Sequence, residues 1–167
     1  MGFFERFLPD QEEESIYTID FSRFLAEGKR AVLFDIDNTL TPHGAQADER
    51  LGAFFKHLHR MGLKTCLISN NRAKRVEPLA LKVKTLFVAK ANKPSVKGYQ
   101  KALGMLGVKG EESLFVGDQL FTDIWGAKRA GIHAVLVKPI HPKEEIQIVL
   151  KRIPERILLF FYHRSKK

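Results

Sequence analysis

Where the apolar runs of this sequence end, residues that could do chemistry begin. Asp35 and Asp37 follow "AVLF", with Thr39 just beyond. Ser69 closes "TCLIS", with Asn70 after it. Lys93 stands in "AKANKPS", and "LFVGDQLFTD" supplies Asp118 and Asp123. Crowded carboxylates are costly unless a cation or hydrogen-bond donors compensate them. Carboxylates from two strands can hold one Mg²⁺, a hard cation that prefers oxygen ligands. With repulsion removed, one carboxylate can attack phosphorus as a nucleophile. A second carboxyl two residues on can protonate the leaving oxygen and later deprotonate water. A hydroxyl and an ammonium can bind the remaining phosphoryl oxygens. Each residue alone also has a plain reading: Asn38 and Ser69 as turn residues, Lys93 as a solvated side chain, Asp123 as a helix N-cap. Their recurrence at successive strand ends favours a shared site.

The elements that must position them alternate. Apolar runs at 31–35, 64–69, 85–89, 113–117 and 133–138 read as buried strands. Between them, "ADERLGAFFKHLHRMG" repeats apolar residues at helical spacing and ends at Gly62. "PSVKGYQKALGMLG" places Pro94 where a first helical residue would sit. Strand–helix alternation predicts an α/β fold: a Rossmann-like parallel sheet with helices on both faces and its site beyond the carboxyl ends of the strands. No repeat or linker divides the 167 residues, so residues 1–167 read as one domain.

Composition narrows the classes. Apolar content of 44% suits a globular protein, and one cysteine, Cys66, excludes a disulfide framework within the chain. The opening "MGFFERFLPDQEEES" reaches charge too soon for a secretory leader, and Ile157–Tyr162 is too short to span a bilayer. The net charge is +9, with six Lys or Arg against one Glu in residues 151–167, and suggests an anionic partner. Phe3, Phe4, Phe7 and Leu8 at the start, and Ile153, Ile157, Phe160 and Phe161 at the end, form apolar faces beside basic residues. An interfacial membrane helix has that pattern, as does a terminal helix docked on the core.

"DIDNT", "SNN", "KP" and "GDQLFTD" resemble the four motifs of the haloacid dehalogenase-like phosphatases. The resemblance implies Asp35 as nucleophile and Asp37 as general acid/base. It implies Mg²⁺ held by Asp35, Asp118 and the backbone carbonyl of Asp37, with Asp123 supporting the metal shell. Ser69, Asn70 and Lys93 would bind phosphate, and Thr39 would fix the first loop. Members usually carry a cap domain, but Thr41–Lys64 and Asn71–Ala91 are too short for one, so a capless, open site is expected. "FFERFLP", "SIYTID", "GDQLFTDIWGAKRAG" and "VLVKPI" are similar to the YqeG-type branch, related to mitochondrial phosphatidylglycerophosphate phosphatases. That similarity implies hydrolysis of phosphatidylglycerophosphate to phosphatidylglycerol. The enzyme would be cytoplasmic and peripheral at the inner membrane face (mitochondrial matrix or plastid in a eukaryote), with an anionic phospholipid surface as partner.

Other classes fit less well. A soluble phosphomonoester is the alternative substrate. A phosphoacceptor signalling domain would order its acids differently along the strands. No interleaved aromatic and basic surface suggests nucleic acid, and no G-x-x-x-x-G-K-[ST] loop occurs. The six histidines form no site in the sequence: His57 and His59 face different ways, His133 starts a strand, and His43, His141 and His163 fall in loops or the tail. Phe121 and Trp125 read as core or site rim.

Overall fold

The structure is a computed structural model that describes residues 5–141 and 146–165, with side chains of the last helix described from 153 to 164. Among the described residues, six strands form one parallel sheet in the order β1-β6-β5-β2-β3-β4. They are β1 (Gln11–Glu13), β2 (Ala31–Phe34), β3 (Lys64–Ile68), β4 (Leu86–Val88), β5 (Ser113–Gly117) and β6 (His133–Val137). The helices are α1 (Phe21–Ala26), α2 (Glu49–Arg60), α3 (Ala73–Lys82), α4 (Val96–Leu106), α5 (Trp125–Arg129) and α6 (Ile146–Ser165).

Strands covered on both faces are mostly apolar, and the two-residue period sorts their side chains. Val32 and Phe34 of β2 join Leu67, Val116 and Val135 under Phe24 of α1, Leu51, Phe55 and Leu58 of α2, and Val76 and Leu79 of α3. Ala31 and Leu33 turn to the other face, with Cys66, Ile68 and Phe115 under Tyr99, Ala102 and Leu103 of α4 and Ala127 of α5. Leu158 and Leu159 of α6 lie against this second cluster. Each fully buried Leu or Phe contributes about 1.5–3 kcal/mol, which holds the central strands and their exits rigidly in place.

Local signals set the helix ends. Asp48 caps α2 by accepting from Leu51 N–H at 2.8 Å. Gly62 follows α2 with φ +88°, a left-handed conformation that glycine adopts without a Cβ clash. Pro94 is not the first residue of α4: Ser95 is the N-cap, its hydroxyl accepting from Lys97 N–H, and the helix starts at Val96. The space between Thr41 and Lys64 holds α2, and that between Asn71 and Ala91 holds α3 and β4. Phe3 and Phe4 lie outside the described residues. Phe7 ends a 3-10 turn, Glu5–Phe7, and its ring meets Phe121 at 5.5 Å and Trp125 at 5.1 Å. His163 belongs to α6 and contacts Glu12 of β1 at 3.0 Å.

Candidate active site

β2 stops at Phe34, but Asp35 N–H still bonds Val116 C=O at 2.9 Å, so the sheet itself aims Asp35 out of its carboxyl edge. The loop then closes on itself. Leu40 N–H returns to Ile36 C=O at 2.9 Å, Asn38 N–H returns to Thr41 C=O at 2.7 Å, and Asn38 takes φ +61°, which Asn tolerates better than most residues. The Thr39 hydroxyl lies 3.2 Å from Asp35 Oδ2 and 3.2 Å from Asp118 Oδ1. It has one proton to donate, so it satisfies one carboxylate at a time, and its two contacts tie the first loop to the end of β5.

Beyond β5 a π-helical turn, Leu120–Ile124, runs straight into α5. The wider turn folds Asp123 back on the strand end, where Oδ2 accepts from Asp118 N–H at 3.2 Å and Gln119 N–H at 3.1 Å. Asp123 therefore caps the strand exit rather than a helix. Gly117 makes this possible, because a Cβ there would lie 2.6 Å from both Cβ and Oδ2 of Asp123.

Lys93 is held at both ends. Asn70 Oδ1 accepts from its backbone N–H at 2.6 Å, and Asn70 Nδ2 donates to its C=O at 3.3 Å. Its ammonium donates to Asp35 Oδ1 at 2.5 Å and to Asp123 Oδ1 at 2.7 Å. Lys90 and Asn92, just before it, have φ of +47° and +54°. Backbone in that region costs energy and persists where the surroundings over-determine it.

Electrostatics define what the cluster can hold. Burial pushes the Asp35 carboxyl well above its ordinary range, and the charges of Asp123 and Asp118 push the same way against the pull of Lys93. Burial by itself would lower the Lys93 ammonium, but Asp123 and Asp35 override it and keep the proton on. Oxygens of Asp35, Asp118 and Asp123 lie within 4.8 Å of one another, all buried. Three carboxylates face one ammonium, so the hard oxygen donors and surplus negative charge suit a divalent cation such as Mg²⁺.

Asp37 stands apart from this cluster. Its Oδ2 accepts from Asn71 Nδ2 at 2.7 Å, its Oδ1 from Arg75 Nη2 at 2.7 Å, and His43 Nδ1 lies 3.4 Å from Oδ1. Ser69 is buried at the tip of β3, where its hydroxyl accepts from Asn71 N–H at 3.1 Å. Thus Asp35, Asp118, Asp123, Lys93 and Thr39 come together and Asn70 reaches them through Lys93, whereas Ser69 is buried beside Asn70 with its hydroxyl on Asn71 N–H. Arg75, Asn71 and His43 are additions that residue-by-residue reading missed. Asn71 stood in the quoted "SNN", whereas nothing local ties Arg75 or His43 to Asp37.

Fold and site define a class, a doubly wound α/β protein with an acidic, lysine-bearing edge at its strand ends. The chain belongs to the haloacid dehalogenase-like hydrolases, whose family model matches residues 45–131. It is 31% identical over 154 residues to the probable phosphatase YqeG of Bacillus subtilis, covering 92% of this chain and 90% of that one. It is 37% identical over 70 residues to a glyceraldehyde 3-phosphate phosphatase of Pyrococcus furiosus, covering 38% of this chain and 29% of the relative. Among solved structures, a haloacid dehalogenase-type phosphatase from Thermococcus onnurineus shares the fold. Its TM-score is 0.57 at 18% identity, over 70% of this chain and 90% of that one.

Proposed function

We propose that the protein is a capless, single-domain Mg²⁺-dependent phosphomonoester phosphatase working through an aspartyl-phosphate, and that its substrate is phosphatidylglycerophosphate at a membrane surface. The observation that carries the chemistry is the buried Asp35 carboxylate, aimed from the sheet edge with Lys93 Nζ 2.5 Å away and Asp118 and Asp123 around it. Asp35 and Asp118, with the Asp37 backbone carbonyl and with Asp123 behind them, would hold Mg²⁺, which neutralises phosphoryl oxygens when bound.

Asp35 attacks phosphorus, and the P–O bond to the substrate alcohol breaks. The leaving oxygen takes its proton from Asp37, which must first leave Asn71 and Arg75. Asp37 then takes a proton from water, whose oxygen attacks phosphorus, releases phosphate and regenerates Asp35. Lys93 has two of its three donors on Asp35 and Asp123, which leaves one for a phosphoryl oxygen. Ser69, buried at the tip of β3, would bind the same group through its hydroxyl. Asn70 acts by fixing the Lys93 backbone.

The lipid substrate draws support from α6. Ile153, Ile157, Phe160 and Phe161 are more than half exposed there, beside Arg156 and Arg164. Such a face suits an anionic lipid surface. No helix among the described residues is long and apolar enough to cross a membrane. The test is phosphate release from phosphatidylglycerophosphate in mixed micelles beside soluble phosphomonoesters, with and without Mg²⁺, using Asp35→Asn as control. Turnover of soluble esters alone would keep the phosphatase and refute the lipid. Turnover that survives Asp35→Asn would refute the mechanism.

A further inference from the structure

A cavity of about 610 Å³ opens beside the acidic cluster, and its size is that of a small-molecule site. α6 forms one wall, the ends of β1 and β6 form the other, and Asp118 lies at the point where the cavity meets the cluster. Leu120, Leu136, Ile153 and Leu159 give it an apolar lining. The segment after β6 supplies Lys138 and Pro139 to the rim, and Ile140 N–H bonds Asn38 C=O at 3.0 Å, so that wall continues into the loop bearing Asp35 and Asp37.

The charges of the cavity nearly all have partners. Glu12 meets His163 at 3.0 Å, and Glu14 meets Lys138 at 2.6 Å. Glu13 accepts from Gln11 at 2.6 Å and from Thr18 at 2.7 Å. Glu155 is buried and accepts from Phe121 N–H at 3.2 Å. Arg156 differs: among the described residues no hydrogen bond or ion pair engages its guanidinium. A fork of N–H donors lining a cavity of mixed apolar and already partnered charged residues is suited to a phosphate diester or a carboxylate, either of which it can bind through two bonds.

We infer that this cavity receives the leaving group of the phosphomonoester, and that Arg156 grips a second anionic group on it. The inference rests on the phosphatase reading and adds its selectivity: amphipathic phosphomonoesters with a second negative charge. α6 thereby supplies the enclosure that a cap domain gives other members of the family.

The test compares wild type, Arg156→Gln and Arg156→Lys on four substrates. Phosphatidylglycerophosphate in mixed micelles has an apolar body and a diester. Phosphoglycerate has a carboxylate, dodecyl phosphate has an apolar body alone, and p-nitrophenyl phosphate has no second anion. Arg156→Gln is expected to lower the ratio of kcat/KM for a second-anion substrate over dodecyl phosphate by about tenfold or more, through KM, with Arg156→Lys recovering part of it. Loss confined to the lipid arm identifies the diester, and loss confined to phosphoglycerate identifies a carboxylate. An unchanged ratio, with Asp35-dependent turnover of p-nitrophenyl phosphate intact, refutes the cavity's role alone. No Asp35-dependent turnover on any substrate refutes the phosphatase reading and takes this inference with it.

Discussion

Replacing Gly117 with alanine is expected to disable the site without altering any group that reacts. The new Cβ would sit 2.6 Å from Asp123 Cβ and Oδ2, whereas ordinary contact begins near 3.4 Å, so something must move by roughly 0.8 Å. Asp123 cannot swing aside cheaply, because two backbone N–H groups and the Lys93 ammonium hold its carboxylate. Overpacking of this kind costs about 1–3 kcal/mol. For a chain of this size each kcal/mol lowers Tm by roughly 2–4 °C. A shift near 1 Å in a positioning group can cost about 100-fold in rate. Calorimetry and Asp35-dependent hydrolysis of p-nitrophenyl phosphate measure the two effects. Gly104→Ala is the matched control: it lies exposed within α4 with nothing within 4 Å of its would-be Cβ, and is expected to stabilise by about 0.5–1 kcal/mol. Gly117→Ala with wild-type Tm and kcat would refute the idea that Asp123 must fold back against the strand end.

Three further outcomes are expected. Asp37→Asn should lower kcat about 10²- to 10⁴-fold in steady-state assays, and a loss under tenfold would remove Asp37 from the acid/base role. Burial pushes the Cys66 thiol up to about 12, so the native protein should resist iodoacetamide at pH 8 and react once unfolded; rapid native labelling would contradict its place in the core. Burial lowers the pKa of His133 and of His59 below the ordinary 6.5, so the unfolded chain binds protons more readily. Their contribution to stability is present above about pH 6.5 and is lost as pH falls through the lowered folded values. His133→Gln should flatten that acid-side slope in urea titrations, and an unchanged slope would count against it.

Much of the frame was legible because central strands declare themselves by composition. β5 falls on the predicted residues, and β2, β3 and β6 end one residue earlier than the runs, although Asp35 N–H and Ser69 N–H still bond across to Val116 and Val88. β1 and α1 were invisible. β1 is three polar residues whose pairing with β6 comes from across the chain, and α1 is only six residues, so its apolar Phe21, Phe24 and Leu25 make less than two turns of pattern. At the site, residues adjacent to strand ends could be read because the sheet delivers them together. The tie between Arg75 and Asp37 could not, since it joins positions 38 apart through a single hydrogen bond. The cavity was equally hidden, because it exists only where α6 approaches the sheet.

The two outermost strands also bear on how this chain stays apart from its copies. A sheet margin exposes unpaired amides that a neighbouring chain can extend into a polymer. Here each margin is three residues long. A chain adding to β1 would meet Glu12 and Glu13, and one adding to β4 would meet a strand bracketed by Lys84 and Lys90. Few new bonds could form on either side, and each would crowd like charges against an identical copy. The protein can therefore expose phenylalanines on α6 while both margins of its sheet remain poor templates for aggregation.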